Sequence, residues 1–293
     1  MFRRMKPPSE FEIERFDMLK LAVIGAQTLL GRELVAALEA REASVVPLSI
    51  GALTVEEEVG DLVVFAPSRL LLEGLDAVLL ADTPNFELLE GFPGRILDLR
   101  SEPETRIDPM PLAGPWPQGA KSLRGRPALE QVLALIPSLL NGVGDVGGTH
   151  LRSVAWMGDR GLDGLVEQTL AVLNGEDPDL TKLGYRQAFE VVPVAPVAGK
   201  GRLMEIRVPS FHGDLLVLQV RASDGKALEK KEAPAGVKWV ESAPSSRDVA
   251  ISADLLAHFD VAPDGKAAVL TLGFDPVLWG VLRPTMCVLG LMD

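Results

Sequence analysis

Cysteine is almost absent: Cys287 is the only one in 293 residues. That excludes a disulfide framework and any metal site built on several thiolates. It also leaves one candidate for a cysteine nucleophile. Histidine is nearly as scarce. His150, His212 and His258 are the full set, and no two stand at metal-ligand spacing. Long apolar runs are missing too. The longest uncharged stretches, such as residues 131–144, are broken by Pro, Asn or Gly, and none reaches the roughly 18–20 apolar residues of a membrane span. Basic residues are in deficit, 29 against 41 acidic, for a net charge of −12. Apart from the first few residues there is no Lys/Arg-rich run, so a nucleic-acid or anionic-membrane partner is not expected. No apolar segment follows the basic start, so no secretory signal is expected, and the cytoplasm is the expected location. Neither a G-x-S-x-G elbow nor a phosphate loop ending in Lys-Ser/Thr is present.

What is there reads as globular. Hydrophobic residues make up 47% and charged residues 24%, a balance that argues against wholesale disorder. The length suits two domains. A mean hydropathy of +0.20 is high for a chain without a span, and assigns the excess to a large core or a subunit interface. Residues 1–17 hold four basic and four acidic residues with Pro7-Pro8 and are expected to form a loose extension. Met18 lies just before the first apolar run and offers a second possible start of translation.

Residues 19–24 form a nearly continuous apolar run, as in a strand buried on both faces of a parallel sheet. The run leads into Gly25-Ala26-Gln27-Thr28-Leu29-Leu30-Gly31. A helix is expected over 32–41, with Leu34, Val35 and Leu38 on one face, and a second strand over 43–50. Residues 76–80 and 95–99 supply two more strands. This is the order of a doubly wound, Rossmann-like dinucleotide-binding domain. Such folds use glycines in the first strand-to-helix turn to make the turn, admit the pyrophosphate and pack helix on strand. Gly25 and Gly31 fill the first and last roles, but Thr28 stands in the middle place. The ribose-binding acid expected about 20 residues on has no counterpart around Ser49–Ala52. Glu56-Glu57-Glu58 come later and read as a solvated turn.

Residues 100–126 are rich in Pro and Gly, which marks a domain crossing. A helix is expected from Pro127, with Leu129, Val132, Leu133, Ile136 and Leu140 at helical spacing. Residues 142–148 are glycine-rich and read as a plain loop. A strand is expected over 151–157, then a helix through Leu162, Leu165, Val166, Thr169 and Leu173. Strands follow at 203–208, 215–222, 237–240, 249–252 and 267–272. The order implies an α+β domain with one open sheet face, a common surface for self-association. The expected layout is an extension at 1–17, a dinucleotide-binding-like domain at 18–126, an α+β dimerisation domain at 127–272, and a C-terminal segment at 273–293 able to return to the first domain.

Several segments together resemble the aspartate-semialdehyde dehydrogenase family, in order over roughly 18–283. KLAVIGAQTLLGRELVAAL at 20–38 resembles its cofactor loop. GLDGLVEQT at 161–169 resembles GxxELLEQT, AFEVVP at 188–193 resembles AFNxIP, and RVPSFHG at 207–213 resembles RVPVFxG. Leu278-Trp279 resembles the start of LWVVADN. The resemblance implies a dinucleotide domain, a dimerisation domain, a homodimer and NADP as the cofactor. Members of the family use a cysteine thioester, which needs an ionisable thiol at a helix start.

The implied site residues depart from that pattern. The nucleophile position falls on Arg126, which cannot form a thioester and whose charge opposes a helix dipole. The base position falls on Asp214, with His212 two residues earlier as a weak substitute on the same strand face. The tyrosine-glutamine pair falls near Leu151-Arg152. The turn that holds a 2′-phosphate has no counterpart around 48–53. The chain also skips roughly two dozen residues between Ala198 and Arg202, judged by motif spacing. Cys287 has no cation within three residues to activate it and reads as an inert thiol.

Loss of nucleophile, base and phosphate contacts together makes a catalytically degenerate homologue the leading expectation. It would act by dimerisation or binding rather than as an enzyme. Its partner would be a second copy, an active dehydrogenase subunit or an unrelated protein. Two alternatives stand beside it: an NAD(P)-dependent oxidoreductase on an aldehyde or carbonyl with altered catalytic residues, and a nucleotide-binding sensor without turnover. The cofactor loop at Gly25–Gly31 is the candidate binding segment, and no metal is expected.

Overall fold

The computed structural model describes residues 18–100, 106–112, 114–196 and 202–292. The extension expected at 1–17 and the shortened stretch after Ala198 lie outside the described residues. Strand β1 (Lys20–Ile24) is buried after its first residue. Helix α1 (Leu29–Glu39) packs Leu34, Val35 and Leu38 inward. It begins three residues before the expected Arg32, because Thr28 caps it. Strands β2 (Ser44–Leu48), β3 (Ala77–Leu80), β4 (Arg95–Asp98) and β5 (Ser122–Arg124) complete a parallel sheet in the order β2-β1-β3-β4-β5. Strand β5 lies in the Pro/Gly-rich stretch and is too short to show a sequence period. The chain reverses its winding between β1 and β3, where ligands of open parallel sheets gather.

The second sheet has seven strands. They are β6 (Val143–Arg152), β7 (Val192–Pro196), β8 (Leu203–Arg207), β9 (Asp214–Ala222), β10 (Val237–Trp239), β11 (Leu255–Val261) and β12 (Ala267–Phe274). Their order is β7-β8-β6-β9-β12-β11-β10, mixed in direction. One face buries Leu216, Leu218, Val220, Leu270, Leu272 and Phe274 against Leu129, Val132, Ile136 and Trp279. The opposite face leaves Met204, Gln219, Arg221 and Val269 exposed.

Four expectations are corrected here. The glycine-rich stretch at 142–148 is mostly strand rather than loop, because the glycines allow close pairing. A Cβ on Gly148 would stand 2.0 Å from the Val217 carbonyl oxygen, and one on Gly144 2.8 Å from the Ser223 backbone. The strand expected at 151–157 stops at Arg152. A single-turn helix, Val154–Met157, follows. The helix expected from Pro127 to Leu140 breaks into α2 (Ala128–Ala134) and a short turn, Ile136–Leu139, at Pro137. Pro137 lacks the N–H that would continue the ladder. The strand expected at 249–252 is instead the end of a short helix, Ser246–Ala250, whose start is fixed by the Ser245–Asp248 capping box.

Helix α3 (Asp159–Leu173) packs Leu165 with Val154, Leu183 and Ala188. The chain ends in α4 (Arg283–Val288), and Leu282, Met286, Val288 and Leu289 join the first core with Leu21, Val23, Leu34 and Leu38. Among the described residues no helix is long and apolar enough to cross a membrane.

Candidate functional site

The glycine loop forms as the sequence implies, but several of its polar groups already have partners. Gly25 adopts φ +82°, and a Cβ there would meet Asp82 Cβ at 2.7 Å. Thr28 does not stand aside for a phosphate. Its hydroxyl donates to the Gly25 carbonyl at 2.8 Å and accepts from the Gly31 N–H at 3.1 Å. Gln27 reaches Glu57 at 3.0 Å. At the head of α1 the Leu29 N–H donates to Asp159 Oδ2 at 2.7 Å, and Arg32 meets Asp159 Oδ1 at 3.3 Å. Asp159 belongs to the first turn of α3. One carboxylate from the first turn of α3 therefore caps the positive end of α1. In a dinucleotide fold the pyrophosphate approaches this end of α1.

Several of the sequence-derived positions line a cleft between the two sheets, a cavity of about 620 Å³. Its wall includes Thr28, Leu29, Leu30, Arg126, His150 and Asp214. Arg126, just before α2, meets Glu130 at 3.2 Å and donates Nε–H to the Met110 carbonyl. Cys287 lies in α4, half-buried, with its Sγ 3.8 Å from the Gly114 carbonyl; it does not line the cleft. Arg152 meets Glu205 at 3.0 Å and stacks its guanidinium 3.8 Å from the Trp156 ring centroid. Among the described residues no group of three His, Cys, Asp or Glu could hold a metal ion.

Asp214 has a histidine partner, but it is not His212. Asp214 Oδ2 accepts from His150 Nε2 at 2.9 Å, while Oδ1 accepts from the Ser153 N–H at 2.9 Å and the Ser153 hydroxyl at 2.7 Å. His150 is 2% exposed and Asp214 1%. The shared strand face expected for His212 and Asp214 does not form. β9 starts at Asp214, and Gly213 at φ +83° turns the chain just before it. His212 lies 3.7 Å from Asp275 instead. The Asp275 carboxylate lifts the imidazole above its usual value, burial opposes this, and Glu33 adds a further pull upward. Burial would push Asp275 up, but His212 and the amides of Leu278 and Val277 outweigh it and hold the carboxyl below its usual range.

The signs of those two shifts set a pH window. The His212 contribution is complete below the ordinary imidazole value of about 6.5 and is lost as pH rises through the raised one. The Asp275 contribution is complete above the ordinary carboxylate range and is lost as pH falls through the lowered value. The His212 side chain is 38% exposed, so the pair is expected to contribute less than about 1 kcal/mol. Urea midpoints between about pH 5.5 and about pH 8.5 should fall more for the native chain than for His212→Gln. Equal slopes would remove the pair from the account.

Sequence reasoning missed His150, Ser153, Asp159 and Trp156. For His150 the only available signal was that a histidine on an apolar strand needs a polar partner. For Asp159 there was none, because its partner lies 130 positions away.

No family model and no curated protein matches the chain. Solved structures do. A probable aspartate-semialdehyde dehydrogenase from Pseudomonas aeruginosa superposes with a TM-score of 0.72 at 18% identity, over 92% of this chain and 97% of that one. Aspartate semialdehyde dehydrogenase II from Vibrio cholerae gives 0.71 at 16% identity, over 94% and 98%. The Francisella tularensis enzyme gives 0.68 at 15%, over 91% and 97%. These likenesses span both sheets, and the chain has the fold of the aspartate-semialdehyde dehydrogenases.

Proposed function

We propose that the chain is a catalytically degenerate homologue of aspartate-semialdehyde dehydrogenases that works by binding, in its inter-sheet cleft and to a second copy of itself. The observation that carries this reading is Arg126. Motif counting assigns it to the position where the resembled family carries its thiolate, its charge is matched to Glu130, and the one thiol in the sequence faces Gly114 elsewhere. A guanidinium cannot form or release an acyl group. The Asp159 carboxylate on the Leu29 amide supports the same reading, because it competes with a pyrophosphate for the head of α1.

The dimer rests on exposed apolar surface. Val166, Leu170 and Leu173 follow one another along α3 at helical spacing, at 43%, 56% and 68% exposure. Contiguous apolar patches of this kind mark interaction sites. An active dehydrogenase subunit could use the same surface. The half-buried single thiol is in keeping with a reducing compartment such as the cytoplasm.

Purified protein given aspartate semialdehyde, phosphate and NADP is expected to show no reduction above a protein-free blank. NAD or NADP at about 1 mM is expected to leave the melting temperature unchanged, since saturable binding would raise it. Turnover would refute the proposal. A melting shift without turnover would favour the sensor reading. An oxidoreductase with altered residues remains the second reading, because the cleft is open and holds a buried His150–Asp214 pair; it requires both cofactor binding and turnover.

A further inference from the structure

We propose that His150 and Asp214 are the ligand-reading pair of the cleft, and that the ligand is an α-hydroxy acid, a monocarboxylate with an apolar body. This rests on the reading of the chain as a cleft-binding protein. Asp214 is the position that the family resemblance assigns to the base, and Leu29 and Leu30 lie in the segment that resembles the cofactor loop, whereas His150 and Arg124 lie outside every shared motif.

The polar end of the argument starts at Asp214. Its carboxylate only accepts, and three donors converge on it: His150 Nε2–H, the Ser153 amide and the Ser153 hydroxyl. A carboxylate partner makes Nε2 the protonated nitrogen, and in the neutral ring Nδ1 then keeps a lone pair. Nδ1 is buried and has no protein partner among the described residues. The ring stacks on Phe274, centroids 6.0 Å apart, so it cannot turn freely to find one. Both His150 and Asp214 line the cleft. A buried acceptor held in one orientation selects a donor, and a hydroxyl is the neutral group that supplies one.

The anionic end is Arg124. Among the arginines of the wall, Arg100 meets Asp98, Arg126 meets Glu130 and Arg152 meets Glu205. Arg160 is exposed and donates to the carbonyls of Thr181 and Lys182. Arg124 is half-buried at the carboxyl end of β5, and among the described residues its guanidinium donates to the carbonyls of Ile107 and Gly125. It faces the cleft without a carboxylate partner among the described residues. A planar guanidinium suits a carboxylate. Asp82, Asp159, Glu205 and Asp214 in the same wall disfavour a more highly charged phosphate. Leu29, Leu30, Val277 and Val281 supply an apolar lining for the body of the ligand.

Mandelate and phenylacetate test this, because they share a carboxylate and an aromatic body and differ in one hydroxyl. Calorimetry on the full chain should find mandelate about tenfold tighter than phenylacetate, the worth of one hydrogen bond to a buried acceptor. Asp214→Asn keeps an acceptor for Ser153 but donates to His150, which moves the ring proton to Nδ1. That variant should lose the preference for mandelate and keep the weaker affinity for both. Arg124→Gln should weaken both acids by a similar factor. Nitrogen NMR of ligand-free protein should show His150 unprotonated at Nδ1, and protonated there in Asp214→Asn. Equal affinities in the native chain, no binding of mandelate at about 10 mM, a doubly protonated His150, or a preference that survives Asp214→Asn would each overturn the proposal. Any of these leaves the loss of thioester chemistry standing. Turnover with NADP would instead remove that broader reading, whatever mandelate does.

Discussion

Asp214→Ala is expected to destabilise the protein by about 3–5 kcal/mol, because several buried donors lose their acceptor together. Three donors from two residues lose their acceptor at once, His150 Nε2–H and both Ser153 groups. Each is deeply buried, with His150 2% and Ser153 1% exposed, so water cannot replace the lost carboxylate without opening the sheet. A buried donor left unsatisfied costs about 1–3 kcal/mol. Asp214→Asn retains an oxygen for Ser153 and should cost no more than about 2 kcal/mol. Urea unfolding of the two variants measures the difference directly. Similar midpoints for Asp214→Ala and the native chain would mean that the cluster is already hydrated, and the reading of His150 as a fixed acceptor would go with it.

How much of this was legible in the sequence depends on how local the cause was. β1 and α1 were visible because their signals, an apolar run and a helical stripe, lie within twenty residues. The order of elements gave the two-sheet architecture for the same reason. The stretch at 142–148 misled because glycine usually breaks a strand. Here it permits β6 to press against the Val217 and Ser223 backbone, which is a fact about the neighbouring strand and not about the stretch itself. The site failed in the same way. Counting along the chain assigned the family positions to Arg126 and Asp214. Counting could not reveal that Asp214 would meet His150, 64 positions away. Nor could it show that Gly213 would turn His212 toward Asp275. A pattern along the chain reports which backbone is built, whereas the chemistry lies in contacts between segments.

The glycine loop makes that distinction testable. Gly31→Ala is expected to destabilise the protein by about 3 kcal/mol and to lower the melting temperature by roughly 6 °C, with no effect on ligand binding that is separable from folding. A Cβ at Gly31 would stand 2.1 Å from the Gly25 carbonyl oxygen and 2.7 Å from Ala26 Cα. Both are backbone atoms of the turn between β1 and α1, so relief requires α1 to lift off the sheet and expose Leu34, Val35 and Leu38. Gly51→Ala, where nothing lies within 4 Å, should be close to neutral and serves as the control. The size of the difference bears on function. If Gly31 is required by packing alone, its presence in a dinucleotide-like spacing follows from the fold whether or not a nucleotide binds. The polar half of that motif is a separate matter, and here Thr28 and Asp159 have taken over its hydrogen bonds. A Gly31→Ala protein as stable as the native chain would break this argument, because the glycine would then need a ligand to explain it.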